Sequence, residues 1–153
     1  MTQVLVELRS AVRPHLATLS AGDRILVAVS GGADSLALAG ALLAESKELL
    51  ITCIGVTIDH QLQDGSDIQA RKVVNQLERI GFDEVISQKV DVNQSAGLES
   101  SARDARYAAL HAIADQRDAL QIYLGHTRDD QAESVLLGLA RGSGARSISG
   151  MAV

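Results

Sequence analysis

The alternation of continuous apolar runs with segments of helical periodicity constrains the fold most strongly. Residues 25–29 and 51–58 are unbroken β-prone runs, which is typical of strands buried on both faces of a parallel sheet. Residues 33–44 between them carry Leu and Ala at helical spacing. The same criteria predict further strands over 84–90 and 121–124, and further helices over 67–80 (capped by Gly81), 100–117 and about 129–140.

Strands that alternate with helices imply right-handed crossovers and a parallel sheet covered on both faces. Hydrophobic residues make up 46% of the chain and aromatic residues only 2%, so the core must be built from Ala, Val, Leu and Ile. We therefore predict a doubly wound α/β fold with a mainly parallel, Rossmann-like sheet. Ligands in such sheets bind beyond the carboxyl ends of the strands, which selects the loops to inspect.

The balance of charge and cysteine limits the function classes. The chain has 14 basic and 19 acidic residues, a net charge of −5, which is unusual for a free-standing nucleic-acid binder. Cys53 is the one cysteine, so it forms no internal disulfide, which indicates a reducing compartment. We see no signal peptide and no apolar run near the ~20 residues of a membrane span. We expect a cytoplasmic protein without a membrane partner.

The loop of residues 30–35, Ser-Gly-Gly-Ala-Asp-Ser, joins the first predicted strand directly to a helix. Two glycines and the backbone NH groups of a helix start favour an anion, and Ser30 and Ser35 add hydroxyl donors. Asp34 would repel phosphate unless it held Mg²⁺ or accepted a hydrogen bond. From composition alone the loop is equally consistent with a tight turn in which Asp34 lends its charge to the helix start.

Two common nucleotide-binding motifs are missing from the sequence. No G-x-x-x-x-G-K-[ST] occurs, and Gly142-Ser143-Gly144 follows a predicted helix rather than a strand. The loop instead resembles the phosphate loop of the N-type ATP-pyrophosphatases, or PP-loop superfamily, which cleave ATP between its α- and β-phosphates. That resemblance implies ATP and Mg²⁺ as cofactors and an adenine nucleotide alpha hydrolase-like fold.

A second run narrows the choice within that superfamily. Residues 124–133, Leu-Gly-His-Thr-Arg-Asp-Asp-Gln-Ala-Glu, together with 141–144 and 150–151, resemble the tRNA(Ile)-lysidine synthetase family. The run sets His126, Asp129 and Asp130 between a predicted strand and a predicted helix, at the same sheet edge as loop 30–35. A carboxylate there can bind Mg²⁺ or order a reacting group. The alternative is an Asp that caps the helix.

Two further segments match the same family. The loop 58–62 contains His60, which contacts adenine or ribose in one interpretation and is a plain surface histidine in the other. Residues 99–107 resemble the family's Glu-x-x-Ala-Arg-x-x-Arg-Tyr helix start. Arg103 and Arg106 are three residues apart and share a helix face. In one interpretation they bind phosphates, and in the other they pair with neighbouring carboxylates.

The resemblance implies a role for each candidate residue. Nucleotide binding falls to Ser30, Gly31, Gly32, Ala33, Asp34, Ser35, His60, Gly125 and His126. Catalysis falls to Asp34, Asp129 and Asp130, with Asp34 and Asp130 as Mg²⁺ ligands. Substrate binding falls to Arg103, Arg106, Glu133 and Arg141; Arg141 begins a basic, glycine-rich loop that otherwise is a simple linker.

The implied reaction joins free lysine to an isoleucine tRNA with a CAU anticodon. O2 of the first anticodon cytidine attacks the α-phosphate of ATP and pyrophosphate leaves; the lysine ε-amine then displaces AMP from C2 to give lysidine. Three other functions stay open: a tRNA thiolase, which typically uses a Cys pair, an amide-forming synthetase, and a non-catalytic ATP-binding module.

The resemblance also suggests a domain organisation. Residues 1–23 are expected to form an N-terminal helical segment, and 24–153 the PP-loop ATP-pyrophosphatase domain. Family members usually continue into tRNA-binding domains, so we expect a truncated core that binds ATP but forms lysidine poorly by itself. The sequence leaves a homodimer open.

Overall fold

The structure, a computed structural model, describes residues 3–92, 98–125, 135–138 and 148–150, with side chains for 3–92 and 101–125. Its helices are α1 (Gln3–Leu16), α2 (Ala33–Glu48), α3 (Ser66–Ile80) and α4 (Leu98–Gln116). Its strands are β1 (Arg24–Ala28), β2 (Thr52–Asp59), β3 (Val85–Lys89), β4 (Ala119–Leu124), β5 (Val135–Gly138) and β6 (Ile148–Gly150). None of the helices in this part of the chain is long and apolar enough to cross a membrane.

The strands form one sheet in the order β3-β2-β1-β4-β5-β6. The first four are parallel, whereas β5 and β6 run antiparallel to their neighbours. The chain proceeds outward from β1 through β2 to β3, and then returns to the other side of β1 as β4. The predicted α/β fold with a mainly parallel sheet is confirmed, and its topological switch point lies between β1 and β4.

Burial on both faces explains why β1 is an unbroken apolar run. Ile25 and Val27 belong to the cluster packed beneath α1, α2 and α3, and Leu26 belongs to the cluster on the α4 side. All three side chains are 0% exposed. Because successive strand residues point to opposite faces, a strand covered on both faces has no position for a polar side chain.

The predicted helix over about 129–140 is wrong for residues 135–138. These residues form β5, antiparallel to β4, with Val135 opposite Leu124. A short apolar run does not distinguish strand from helix by periodicity, and the edge of β4 offers backbone groups that need partners. The other residues of that predicted helix lie outside the described residues.

Two arginines of α1 bind one buried carboxylate of α2. Glu45 is 2% exposed and accepts hydrogen bonds from Arg9 Nε at 2.6 Å and Arg13 Nε at 2.8 Å. The hydrogen bond from Arg13 lowers the pKa of Glu45, burial raises it, and the hydrogen bond from Arg9 lowers it again. The net effect is a pKa below the ordinary value. This anchor joins α1 to the helix that follows loop 30–35. The predicted domain boundary after residue 23 stays a prediction.

We expect Glu45→Ala to lower the melting temperature clearly more than Glu48→Ala. Glu48 is 67% exposed and accepts a hydrogen bond from Arg9 at 3.1 Å, and such surface pairs contribute about 0–1 kcal/mol. Because the pKa of Glu45 is lowered, its stabilisation is present above the ordinary value of 4.5 and is lost as the pH falls through the folded-state pKa. Thermal unfolding followed by circular dichroism at pH 7 and below pH 4.5 measures both effects. Equal losses from the two variants would contradict the buried anchor.

Candidate functional site

The loop 30–35 leaves the carboxyl end of β1 and turns directly into α2. Gly32 is the N-cap of α2, with φ −71° and ψ 157°, and no side chain of the described residues caps the helix. The Ser35 hydroxyl donates to the Gly32 carbonyl at 2.9 Å, and its oxygen lies 3.2 Å from Ser30 Oγ. The first NH groups of α2 are therefore available to an external anion, beside two hydroxyl groups.

Gly31 is required in this loop for two separate reasons. Its φ is +93°, a left-handed conformation that side chains disfavour. A Cβ on Gly31 would also lie 2.8 Å from Gln69 Nε2 and 2.8 Å from Val73 Cγ2 of α3. A Cβ on Gly32 would meet only Ser30 Oγ, at 3.7 Å. Helix α3 thus packs directly against the loop at Gly31.

Ala33 and Asp34, in the first turn of α2, are exposed. A carboxylate in this position interacts favourably with the positive end of the helix dipole. It is also accessible to a cation bound at the loop. The geometry is compatible with both interpretations of Asp34, the helix-start charge and the Mg²⁺ ligand.

Two cavities meet at Ser30. One, of about 510 Å³, lies against α3 and the β2–α3 connection and is lined by Asp59, Gly65 and Gln69 among others. The other, of about 190 Å³, lies toward α4, at the switch point between β1 and β4. Ser30 and His60 line both cavities. The loop therefore stands between two compartments at the carboxyl edge of the sheet.

Gly125 brings the end of β4 close to the start of α2. A Cβ on Gly125 would lie 3.3 Å from Ser35 Cα and 3.3 Å from Leu38 Cδ2. That is tighter than ordinary van der Waals contact, so glycine allows the two segments to meet. Gly125 lines the smaller cavity together with Ser30.

His60 and Arg106 both line the smaller cavity, and each also has a buried polar atom without a partner in the described part of the chain. Within the described residues, His60 Nδ1 and Arg106 Nε are buried and have no hydrogen-bond partner. Burial and then the charge of Arg106 lower the pKa of His60, against the opposing effect of Asp59. The imidazole is therefore neutral at pH 7, and the guanidinium places a cation beside the cavity.

Arg103 is placed differently from Arg106, although the two share a helix face. Both guanidinium carbons lie over the Tyr107 ring, 5.6 Å and 5.5 Å from its centroid. Arg103 is exposed and lines neither cavity, whereas Arg106 is half-buried. Of the two predicted phosphate contacts, Arg106 reaches the crevice.

Asp59 and Gln69 border the site but were not predicted as site residues. Asp59 is 4% exposed, and its Oδ1 accepts a hydrogen bond from the Gln61 NH at 2.9 Å. Burial raises the pKa of Asp59, but that hydrogen bond and the nearby Ser66 hydroxyl more than offset it, so the pKa lies below its ordinary value. An Asp two residues before a turn signals such a bond. Gln69 precedes the core residue Val73 by four positions, so it shares a helix face with it.

Five predicted site residues lie outside the described residues. They are His126, Asp129, Asp130, Glu133 and Arg141. Within the described part of the chain, no group of three or more His, Cys, Asp or Glu side chains converges as a metal site. The predicted pairing of Asp34 with Asp130 around Mg²⁺ stays a prediction.

Comparison with known protein families gives one match over nearly the whole length. The model of the PP-loop domain matches residues 3–153. The chain belongs to the PP-loop family. The phosphate loop (residues 30–35), the switch point and the two cavities are therefore features of a PP-loop domain.

Curated relatives confirm the narrower resemblance predicted from residues 124–133. A tRNA(Ile)-lysidine synthase of Streptomyces coelicolor is 59% identical over 128 residues, which cover 84% of this chain and 36% of that protein. One of Thermobifida fusca is 54% identical over 144 residues, covering 94% of this chain and 44% of the relative. The PP-loop chain thus spans less than half the length of the curated relatives it matches.

One solved structure with the same fold is the U34-tRNA thiolase NcsA from Methanococcus maripaludis with its [4Fe-4S] cluster. It has a TM-score of 0.70 and 19% identity, and the match covers 83% of this chain and 47% of the thiolase. At that identity the likeness concerns the fold alone. In the PP-loop chain the one cysteine, Cys53, is buried in β2, and burial raises its pKa to about 12.

We expect Gly31→Ala to destabilise the chain by about 1–3 kcal/mol, because a side chain in a left-handed conformation is strained and α3 has to move away. The matched variant Gly32→Ala has an ordinary φ and open space, so its effect is about 0.5 kcal/mol or less. Urea unfolding of both variants measures the difference. Similar losses would show that α3 does not constrain the loop at Gly31.

We expect His60 to titrate below 6.5, and Arg106→Ala to move its pKa back toward that value. Removing the cation takes away one of the two causes that disfavour the imidazolium. Arg103→Ala is the matched control on the same helix and leaves the pKa unchanged. Two-dimensional NMR of the histidine ring protons records the titration. If the pKa of His60 is unchanged in the Arg106→Ala variant, the charge of Arg106 does not act on the imidazole.

Proposed function

We propose that this PP-loop domain is the catalytic core of an ATP-dependent, carbon–nitrogen bond-forming ligase, a tRNA(Ile)-lysidine synthetase. The enzyme adenylates the first anticodon cytidine of an isoleucine tRNA and joins it to free lysine. One observation carries the proposal: among the described residues the start of α2 has no side-chain cap, and it lies at the switch point, beside a cavity lined by the cation Arg106. The shared name of the relatives supports the choice of reaction.

ATP spans the phosphate loop and the smaller cavity in this proposal. Its β- and γ-phosphates lie on the NH groups of α2 and the Ser30 hydroxyl, next to Ser35, whose own hydroxyl donates to the Gly32 carbonyl. The nucleoside lies toward His60 and Gly125. Arg106 lines the same cavity and donates to the α-phosphate, because a guanidinium binds phosphate strongly through charge-assisted hydrogen bonds.

The reaction proceeds in two displacements. O2 of the cytidine attacks the α-phosphorus, and the bond from that phosphorus to the bridging oxygen breaks, which releases pyrophosphate. The lysine ε-amine then forms a bond to C2 as the C2–O2 bond breaks, and AMP and a proton are released.

The protein stabilises the charge that develops in the first displacement. Negative charge accumulates on the departing pyrophosphate, and in this proposal the NH groups of α2 and the Ser30 hydroxyl donate to it. Ser35 holds the loop through the hydrogen bond from its hydroxyl to the Gly32 carbonyl. No protein nucleophile takes part. Neutral His60 orients the ribose or base through hydrogen bonds without adding charge.

Mg²⁺ fits the donor set of the loop. Asp34 offers one exposed carboxylate beside the phosphate site, and Mg²⁺ is commonly held by one or two carboxylates together with substrate phosphates. Asp130 is the second proposed ligand. When bound, the ion neutralises charge on the phosphate oxygens.

The remaining assignments concern the two substrates. Glu133 and Asp129 recognise or orient lysine in this proposal, and His126 assists the nucleotide. Arg141 and the exposed Arg103 contact tRNA phosphates, since they are cations in a chain of net charge −5. The enzyme acts in the cytoplasm, where free lysine and tRNA are both present.

The test incubates a full-length form of the enzyme with ATP, labelled lysine and an isoleucine tRNA bearing a CAU anticodon, because the core alone is expected to form lysidine poorly. We expect label in the tRNA together with AMP and pyrophosphate, and a loss of at least 100-fold in rate for Asp34→Ala, as for a group that stabilises the transition state. Asp67→Ala, which removes a first-turn aspartate from α3 instead of α2, is the matched control and retains the rate.

Several outcomes would overturn the proposed function. Sulfur incorporation in place of lysine would indicate a thiolase, and AMP formation that ignores tRNA would indicate another PP-loop ligase. Binding of ATP with no release of AMP or pyrophosphate in the presence of both substrates would indicate a nucleotide-binding module.

A further inference from the structure

The side chain of Gln69 lies against the phosphate loop. A Cβ on Gly31 would come within 2.8 Å of Gln69 Nε2, so the amide nitrogen is next to the loop backbone. Gln69 belongs to the second turn of α3, and Val73, one turn later, contacts Gly31 in the same way. The two side chains lie side by side against the loop: Val73 makes the apolar contact and Gln69 the polar one.

The Gln69 amide is exposed and lines the 510 Å³ cavity together with Ser30. In the part of the chain that the structure describes, no hydrogen bond to another protein group occupies this amide. An amide nitrogen has two donor hydrogens and carries no charge. Gln69 therefore presents free donors to whatever lies between the loop and the cavity.

The two cavities differ in their charged side chains. The smaller one contains the cation Arg106, whereas the larger one is lined by the carboxylates Asp59 and Asp64 and by no lysine or arginine among the described residues. The carboxyl group of Asp59 has a lowered pKa and is ionised at pH 7. A phosphate group on the α3 side of the loop thus depends on neutral donors, and Gln69 Nε2 is adjacent to Gly31.

We propose that the Gln69 amide donates a hydrogen bond to the pyrophosphate end of ATP and holds the leaving pyrophosphate on the α3 side of the phosphate loop. This assignment rests on the ATP chemistry proposed above and adds a binding residue from outside the loop. Arg106 then contacts the nucleotide on the α4 side and Gln69 on the α3 side, so the triphosphate crosses the loop from one cavity toward the other.

The test measures dissociation constants of pyrophosphate and of AMP separately, by calorimetry on the same chain, with and without Mg²⁺. We expect Gln69→Ala to weaken pyrophosphate binding about tenfold, as expected for one hydrogen bond to a charged acceptor, and to leave AMP binding unchanged. Gln69→Glu keeps the shape against Gly31 but replaces the donor by a negative charge, so it weakens pyrophosphate binding further. Asn75→Ala removes an exposed amide from the same helix and is the control.

The other results have definite meanings. A structural role would spare Gln69→Glu, because its packing is retained, and pyrophosphate affinity within twofold of the Asn75→Ala control would overturn the proposal. An equal loss of AMP binding would also overturn it, because the whole loop would then have shifted. If the unmodified chain binds ATP but Gln69 has no effect, this inference alone fails. If the unmodified chain binds neither ATP nor pyrophosphate, the proposed function fails as well.

Discussion

The site depends on the burial of β1 between two parallel neighbours. β1 bonds β2 on one side and β4 on the other, and its side chains are covered on both faces. Because β1 is paired on both edges and packed on both faces, its position is fixed. The segment that follows its carboxyl end therefore has a fixed starting point and direction. That segment is the phosphate loop, and the crossover from β3 back to β4 opens the crevice at the same point. The position of this loop is thus a consequence of core packing.

The elements with strong local signals were predictable. The apolar runs predicted β1 and β2, and Gly81 marked the end of α3, where it has a left-handed conformation with φ +108°. The residue types of loop 30–35 predicted its turn from strand to helix. The strand β5 was not predictable, because four residues carry too little periodicity and their pairing with β4 is a long-range interaction. The sequence pattern thus predicts elements that depend on local signals, but not a strand that depends on long-range pairing.

The candidate site likewise has residues that the sequence predicts and residues that only the structure identifies. The loop residues, His60 and Gly125 come together as the sheet-edge rule predicts, since all follow the carboxyl ends of central strands. The difference between Arg103 and Arg106 needed the structure, because spacing places them on one face and only packing decides which is half-buried. Gln69 needed it too, since its contact with Gly31 spans 38 residues of sequence and depends on how α3 lies across the sheet.

The bond network of Glu45 gives α1 a part in the geometry of a site it does not touch. Glu45 follows the first residue of α2 by twelve positions, or about 18 Å at 1.5 Å per residue, so the arginines grip the helix far from its phosphate-binding end. The other end of α2 is packed against Gly125 at the end of β4, so both ends of the helix are held in place. Helix α1 therefore helps to fix the position of α2, and with it the position of the loop from which α2 starts.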